Sequence, residues 1–202
     1  MIKNVLVYTH NSIYESTFAI NCDSLVDKPQ YKYSLEKFAM PASSLKNCLK
    51  KWEEVYEQKC GEAVEVKLIG VFPPIERMDN SLTKLEMCEK LSLSTNMISM
   101  INNLQNMKCL KILSLGRNLV KSLAGIEAVA DTLEELWVSY NRIEKLTPLT
   151  KMRTLKTLFM AHNFVYQWDQ FVQLQELPCL KDLVFLGNPL EEELSEVRKL
   201  SE

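Results

Sequence analysis

The residues of this sequence that could do chemistry are six cysteines and two histidines, and their spacing does not assemble a site. There is no C-x-x-C pair and no cysteine beside a histidine, so the ligand spacing of a zinc site is absent. Several cysteines fall at apolar positions of the pattern described below, where cysteine packs as a small hydrophobe. We interpret all six as reduced thiols: Cys22, Cys48, Cys60, Cys88, Cys109 and Cys179.

Acid–base candidates are equally sparse. His10 lies outside any periodic pattern, and His162 sits at an exposed strand end beside Asn163, where a surface or partner-contacting role is favoured over that of a general base. Glu134 and Glu135 are neighbours on a predicted strand, so their side chains point to opposite faces and do not form a carboxylate pair. The sequence therefore predicts a protein that is not an enzyme and that has no cofactor and no metal.

Composition excludes further classes. The 202 residues carry 24 Lys and Arg against 26 Asp and Glu, so the basic excess of a nucleic-acid-binding protein is missing. The five glycines are too far apart for a phosphate-binding loop. No apolar run approaches the roughly 18 residues that span a bilayer, and the N-terminal apolar run is too short for a signal peptide. We expect a cytoplasmic protein that binds neither nucleic acid nor membrane.

The element that must position any functional residue is a repeat of the form L-x-x-L-x-L-x-x-N-x-I. Its asparagines are 22, 23, 22 and 25 residues apart. A sixth, degenerate copy precedes them in residues 65–75, with Pro73 at the asparagine position and Ile69, Val71 and Phe72 pointing outward. The five regular copies are Cys88–Ile98, Leu110–Val120, Leu133–Ile143, Leu155–Val165 and Leu180–Leu190.

This pattern predicts an α/β solenoid of the leucine-rich-repeat class, with parallel strands on the concave face and helices or turns on the convex face. The two apolar residues of each strand point inward and build the core, from Leu91 and Leu93 to Leu183 and Phe185. An asparagine amide both donates and accepts, which suits it to pair backbone groups where the strand turns away. We predict a purely structural ladder: Asn96, Asn118, Asn141, Asn163 and Asn188.

The chain divides into four predicted segments. Residues 1–39 form an N-terminal extension without a consistent period, expected to be poorly ordered, and residues 40–63 contain a capping helix with Ser44 as N-cap and Gly61 as its end. Its apolar face, which includes Val55 and Tyr56, is expected to cover the open edge of the first repeat. Residues 64–190 are the solenoid of about six repeats, and residues 191–202 are a short acidic segment.

The exposed strand positions predict a binding surface rather than a catalytic one. Aromatic residues cluster in the fourth and fifth copies, where they form an apolar patch flanked by Arg117, Arg142 and His162. Exposed apolar patches usually mark binding sites, and Trp, Tyr and Arg are enriched among the residues that dominate binding energy. The predicted partner-binding residues are Trp137, Phe159, Tyr140, Val184, Leu186, Arg117 and His162.

Residues between the leucines, which the repeat does not dictate, resemble one family, the axonemal outer-arm dynein light chain 1 family. The segments that carry the resemblance are Pro73–Asp79, Leu91–Asn96, Ile112–Asn118 and Ala128–Asn141. The similarity covers about residues 42–190. Residues 1–39 have no counterpart in that family, and its longer basic C-terminal segment is missing or curtailed, so contacts made there are not carried over.

The resemblance implies a non-catalytic subunit, a monomer within a larger complex, located on the cytoskeleton of a cilium or flagellum, in the axoneme. It implies binding to an axonemal dynein heavy chain near its microtubule-binding region, contact with tubulin as a further partner, and regulation of motor activity through the concave face. Two alternatives stay open. One is a leucine-rich-repeat adaptor that regulates a protein phosphatase, and the other is a thiol-dependent hydrolase.

Overall fold

The computed structural model describes residues 4–5 and 42–193. Among these residues seven strands form one parallel sheet, and the six contributed by the repeats lie side by side in chain order. Each repeat supplies a strand of three residues: β2 Glu65–Lys67, β3 Lys90–Ser92, β4 Ile112–Ser114, β5 Glu135–Trp137, β6 Thr157–Phe159 and β7 Asp182–Val184. The sheet is open and curved, which is the predicted leucine-rich-repeat solenoid.

The remaining strand comes from the N-terminal extension. Strand β1, Asn4–Val5, pairs in parallel with β7 and places Val5 opposite Leu183. It therefore lies on the edge of the sheet that the last repeat would otherwise leave open. The other residues of the predicted extension lie outside the described residues, as do residues 194–202 of the acidic segment.

The inward positions of the five regular copies are confirmed. Leu91, Leu113, Leu136, Leu158 and Leu183 occupy equivalent positions in successive strands and are at most 1% exposed. The second inward residue of each copy, from Leu93 to Phe185, is also buried. Because each strand contributes the same two side chains, the core is a stack of repeating layers, and each repeat contacts mainly its neighbours.

The register predicted for the first, degenerate repeat is wrong by two residues. Val66 lies opposite Leu91, so Val66 and Leu68 are the inward pair, and both are buried. Lys67 therefore takes the outward place given to Ile69 in the prediction. The longer connection between Leu68 and Ile75 restores the later register, since the N–H of Ile75 donates to Asn96 Oδ1 at 3.0 Å.

The asparagine ladder is confirmed in all five regular copies, and each amide is buried. Asn141 shows the pattern: its Nδ2 donates to the carbonyl oxygens of Val138 at 3.0 Å and Leu115 at 2.9 Å, and its Oδ1 accepts from the N–H of Val120 at 2.9 Å. Two of these three partners belong to the preceding repeat. Each asparagine therefore closes its own turn and ties adjacent repeats together, a role that explains its position in every copy.

The convex side returns through short helices because a repeat of 22 or 23 residues leaves little room for a full one. These are 3₁₀ helices at Asn80–Lys84, Ile126–Val129 and Thr147–Lys151. The longer last step accommodates an α-helix, α2 (Trp168–Val172), followed by a 3₁₀ turn at Gln173–Glu176. No helix in the described part of the chain is long and apolar enough to cross a membrane.

The first helix, α1, spans Leu45–Tyr56, and Ser44 is its N-cap, with the Oγ accepting from the N–H of Asn47 at 3.3 Å. Its buried face consists of Leu45, Cys48, Leu49 and Trp52. Two predictions for this helix are wrong. It ends before Glu57, which adopts a left-handed conformation, and not at Gly61; and Val55 and Tyr56 are exposed, so the face that packs on the solenoid is shorter than the sequence suggested.

Candidate functional site

The concave face of the sheet carries a row of apolar side chains over its last three repeat strands. Trp137, Phe159 and Val184 occupy equivalent outward positions on β5, β6 and β7. The rings of Trp137 and Phe159 lie 5.6 Å apart between centroids, with planes tilted by 34°. Trp137 is 41% exposed, and its Nε1 donates to Glu135 Oε2 at 3.2 Å. This apolar row is held on short strands, with Trp137 exposed to solvent and Phe159 and Val184 half-buried.

A second group lies where the same strands end. The Arg117 guanidinium carbon stands 4.5 Å above the centroid of the Tyr140 ring, and the Tyr140 and His162 rings stack at 4.5 Å with an interplanar angle of 23°. These three residues form a column of cation, phenol and imidazole across three repeats, which we call the stacked column. Its contacts are a cation–π interaction and an offset ring stack, each worth about 1 kcal/mol at an exposed site.

The backbone conformation that builds the stacked column is unusual. The residue before each of the five ladder asparagines has a positive φ: 58° at Thr95, 55° at Arg117, 59° at Tyr140, 52° at His162 and 70° at Gly187. Only glycine adopts this left-handed region without steric cost. The next residue is the ladder asparagine, and its side-chain hydrogen bonds hold the turn in place. Successive turns therefore place the three side chains one above another.

Gly187 lies under the end of the stacked column, and replacing it tests that arrangement. A Cβ at this position would lie 2.4 Å from His162 Nδ1, so the imidazole must move. We expect Gly187→Ala to lower the free energy of unfolding by about 2 kcal/mol and to shift the ring-proton resonances of Tyr140 in NMR spectra, because a methyl group in the left-handed region costs about 1 kcal/mol before any displacement.

The chain offers a matched control for this prediction. Gly70 also has a left-handed conformation, with a φ of 59°, but a Cβ there meets no atom within 4 Å. Gly70→Ala should therefore lower the free energy of unfolding only by the cost of a methyl group in the left-handed region, and it should leave the Tyr140 resonances unchanged. If the two variants gave equal destabilisation and neither moved the Tyr140 signals, the proposed contact between residue 187 and the column would be contradicted.

The other half of the concave face carries small residues, most of them polar. Ser94 and Ser114 share a hydrogen bond of 2.7 Å between their hydroxyls, and Gly116 follows on the third repeat.

At the start of the strands, exposed charges of opposite sign pair between neighbouring repeats: Lys111 pairs with Glu89 at 3.0 Å and Lys156 with Glu134 at 2.6 Å. The Glu89 carboxylate raises the pKa of Lys111, and the Lys156 ammonium lowers that of Glu134. Such exposed pairs contribute little stability, so they mainly shape the surface charge.

The buried thiols of Cys48, Cys60 and Cys88 do not offer an activated nucleophile. Burial raises the pKa of Cys60 and of Cys88 to about 11, and it also raises that of Cys48. In addition, Glu53 accepts the N–H of Cys60 at 2.9 Å, and its carboxylate opposes ionisation of that thiol. A thiolate is the reactive form of cysteine, so these three side chains fit packing and not catalysis. Within the described residues no group of three His, Cys, Asp or Glu could hold a metal ion.

The structure sorts the predicted site residues into two neighbouring groups. Trp137, Phe159 and Val184 form the apolar row, with Leu186 two positions beyond Val184, and the remaining three predicted residues form the stacked column. Arg142 is not part of either group. It follows the ladder asparagine, and its N–H donates to the carbonyl of Val120 at 2.8 Å.

Sequence reasoning missed the exposed side chains that share the position of Arg142. Large residues recur directly after the asparagines, and Met97 and Phe164 are 44% and 51% exposed. The repeat pattern could have revealed them. The position after the asparagine lies outside the strand and is not required to be apolar, so large apolar residues there indicate an exposed surface.

Comparison with known proteins gives relatives over most of the chain. It is 59% identical over 154 residues to the dynein axonemal light chain 1 of Bos taurus, a match that covers 76% of this chain and 81% of that protein. The human protein of the same name is 58% identical over the same shares of the two chains. The Chlamydomonas reinhardtii protein of that name is 44% identical over 161 residues, covering 80% of this chain and 81% of the relative. No protein-family model matches the sequence.

Solved structures support the fold independently. A leucine-rich-repeat protein of Leptospira interrogans superposes with a TM-score of 0.57 at 22% identity, covering 69% of this chain and 36% of that one. An internalin of Listeria monocytogenes gives a TM-score of 0.52 at 21% identity, covering 57% of this chain and 33% of that one. At such identities the similarity concerns the architecture alone.

Proposed function

The chain belongs to the dynein axonemal light chain 1 family, and from this premise we propose that it is a non-catalytic axonemal subunit that binds a dynein heavy chain through its concave sheet face. The heavy chain is contacted near its microtubule-binding region, and the complex regulates ciliary or flagellar motor activity. Contact with tubulin is a further part of the proposal. The observation that carries it is the apolar row on the sheet, in which Trp137 is exposed and Phe159 and Val184 are half-buried.

The geometry of the concave face supports binding of a helical or loop segment rather than a small molecule. Trp137 is exposed and Phe159 half-buried, and the two large rings already pack on each other, so little side-chain entropy is lost when a partner covers them. The stacked column of Arg117, Tyr140 and His162 adds donors and a positive charge at one border of the apolar row. An apolar centre with a polar border is the usual anatomy of a protein–protein interface.

Relatives and chemistry together favour this function over the two alternatives. The match to this chain covers about four fifths of the length of each of these relatives, and all are named dynein axonemal light chain 1. Among the described residues, no feature favours phosphatase binding. The hydrolase alternative would require a reactive thiolate, whereas the buried thiols of Cys48, Cys60 and Cys88 have raised pKa values.

The experiment that tests the proposal is affinity capture from isolated axonemes. The tagged full chain is incubated with a salt extract of axonemes, and bound proteins are identified by mass spectrometry. We expect an axonemal dynein heavy chain as the main stoichiometric partner. Recovery of a phosphatase catalytic subunit in its place, or of no heavy chain, would contradict the proposal.

A further inference from the structure

A second exposed surface lies along the side of the solenoid where the chain leaves each strand. The residues that follow the ladder asparagines form an additional parallel set of backbone hydrogen bonds of 2.8–2.9 Å between successive repeats: Leu119 N–H to Ile98, Arg142 to Val120 and Phe164 to Ile143. Because of this pairing, the side chains at these positions lie next to one another in repeat order along the solenoid. We call the surface the edge face and define it by Met97, Leu119, Lys121, Arg142, Phe164 and Tyr166.

The edge face is apolar at both ends. At one end Phe164 and Tyr166 are 51% and 55% exposed, on either side of the fully buried Val165. At the other end Met97 is 44% exposed and lines a groove of about 660 Å³ together with Leu119 and Met100. Two groups of large exposed apolar side chains on one side of a molecule are typical of an interaction surface.

The middle of the edge face is basic. Lys121 and Arg142 are exposed on the third and fourth repeats, and Lys145 is held beside Ser122 by a backbone bridge between the same two repeats. Within the described residues these three cations form no ion pair, whereas Lys67, Lys111, Arg153 and Lys156 all do. Glu144 is the acidic residue among them, which leaves an excess of two positive charges in the middle of the face, while the groove at the Met97 end is also lined by Glu76, Arg77 and Asp79.

The edge face is separate from the concave face. The buried side chains of Asn141 and Asn163 lie between Tyr140 and Arg142 on one repeat and between His162 and Phe164 on the next. A partner that covers Trp137 and Phe159 therefore does not have to cover the edge face. The two surfaces can be tested with separate substitutions.

We propose that the edge face binds an acidic peptide segment of a partner protein, in which acidic residues lie between two apolar ones. Met97 and Phe164 are three repeats apart, and strands in a sheet are spaced at about 4.8 Å, so the apolar ends lie about 14 Å from each other. An extended peptide covers this distance in about four residues. The ligand is thus an apolar residue, two or three consecutive acidic residues and a second apolar residue.

The test is selection from a random twelve-residue peptide display library on the immobilised full chain, with counter-selection on the Arg142→Glu variant. We expect the surviving peptides to carry the apolar–acidic–apolar motif. A fluorescent peptide of the most frequent sequence should then bind the wild-type chain at least tenfold more tightly than Arg142→Glu. Its affinity should fall several-fold between about 50 and 300 mM salt, because screening weakens attraction between exposed charges. The Trp137→Ala/Phe159→Ala variant should bind it as the wild type does.

Several outcomes overturn the proposal. One is a selection without acidic enrichment, and another is peptide binding that is lost on Trp137→Ala/Phe159→Ala but kept on Arg142→Glu. Sedimentation that shows a wild-type dimer abolished by Arg142→Glu would assign the face to a second copy of the chain. A tenfold gain in peptide affinity on removal of residues 194–202 would assign it to the chain's own acidic end. Phe164→Ser serves as a second edge variant, and its folding is checked by circular dichroism before binding is measured.

Discussion

Replacing Asn141 by alanine is expected to lower the free energy of unfolding by about 3 kcal/mol. The substitution leaves the buried N–H of Val120 without its 2.9 Å acceptor, and a buried donor without a partner costs about 1–3 kcal/mol. The carbonyl oxygens of Leu115 and Val138 each lose one of two amide donors and keep the other, from Asn118 and Asn163 respectively, so their loss is partial.

The size of this effect follows from the position of Asn141 in the middle of the stack. Two hydrogen bonds of its side-chain amide cross from the fourth repeat to the third, and the stability of a solenoid depends on such contacts between neighbouring repeats. Urea unfolding followed by circular dichroism measures the change directly. In a thermal melt, about 3 kcal/mol corresponds to a decrease in Tm of roughly 6–12 °C for a chain of this size.

The matched control is Asn106→Ala, which removes the same side chain from an exposed turn. That variant should stay within about 0.5 kcal/mol of the wild type, as exposed substitutions usually do. A change of less than about 1 kcal/mol in Asn141→Ala would mean that the backbone relaxes to satisfy Val120 by another route. The structural role assigned to the asparagine ladder would then be wrong.

The second large expected effect is on binding. We expect the double variant Trp137→Ala/Phe159→Ala to bind the dynein heavy chain at least 100-fold more weakly than the wild type. Truncation of a large aromatic residue at the centre of an interface costs about 2 kcal/mol or more, and each 1.4 kcal/mol changes affinity tenfold. Because the two rings pack on each other at 5.6 Å, their effects should not be additive, which makes the double variant the informative one.

Folding of this variant should be nearly unchanged, because both side chains point away from the core. Trp137 is 41% exposed, and the inward neighbour of each aromatic residue, Leu136 and Leu158, is fully buried and untouched. Binding is measured by biolayer interferometry against the heavy chain captured from axonemes, and folding by thermal denaturation of the free chain.

A control at the opposite end of the solenoid removes two aromatic side chains whose exposed fractions are larger than those of Trp137 and Phe159. Tyr56 and Phe72 are 58% and 79% exposed and line one groove beside α1. Tyr56→Ala/Phe72→Ala should bind the heavy chain with wild-type affinity. Retention of affinity within about threefold in Trp137→Ala/Phe159→Ala, with an intact fold, would move the heavy-chain site off the concave face.

Most of the fold could be predicted from the sequence because one short pattern specifies it. In the five regular copies the leucine and asparagine positions repeat without exception in register, so the inward layers and the amide ladder both follow. The first repeat could not be placed in the same way. Val66, Leu68, Ile69 and Val71 are all apolar, so both faces of this segment are apolar and the alternation does not fix where the inward pair begins.

The end of α1 shows a different limit of pattern reasoning. Glu57 terminates the helix with a φ of 50°, a conformation for which a glycine or asparagine would be the usual signal. Gly61 lies four residues later and was the only such signal available. The segment after the helix is held by a local hydrogen bond, in which the Glu53 carboxylate accepts the N–H of Cys60; this bond also lowers the pKa of Glu53.

The candidate site was predictable in composition and not in geometry. The outward positions of the repeat name Trp137, Phe159 and Val184 as neighbours, and the strand register agrees. The stacking of Arg117, Tyr140 and His162 depends on left-handed backbone at three residues whose types do not favour it. In this set only Gly187 is a residue type that indicates such a turn, so the column could not be inferred from residue types.

Those left-handed residues have a consequence for how the protein balances stability against function. Glycine would relieve about 1 kcal/mol of strain at each such turn, and Gly187 shows that the fold accepts it there. Optimisation for stability alone would therefore favour glycine at Arg117, Tyr140 and His162, and each replacement would delete one member of the stacked column. The chain retains these strained side chains, as it does Thr95 at the same position of the second repeat, at some expense in marginal stability. We propose that Arg117, Tyr140 and His162 are kept there for recognition.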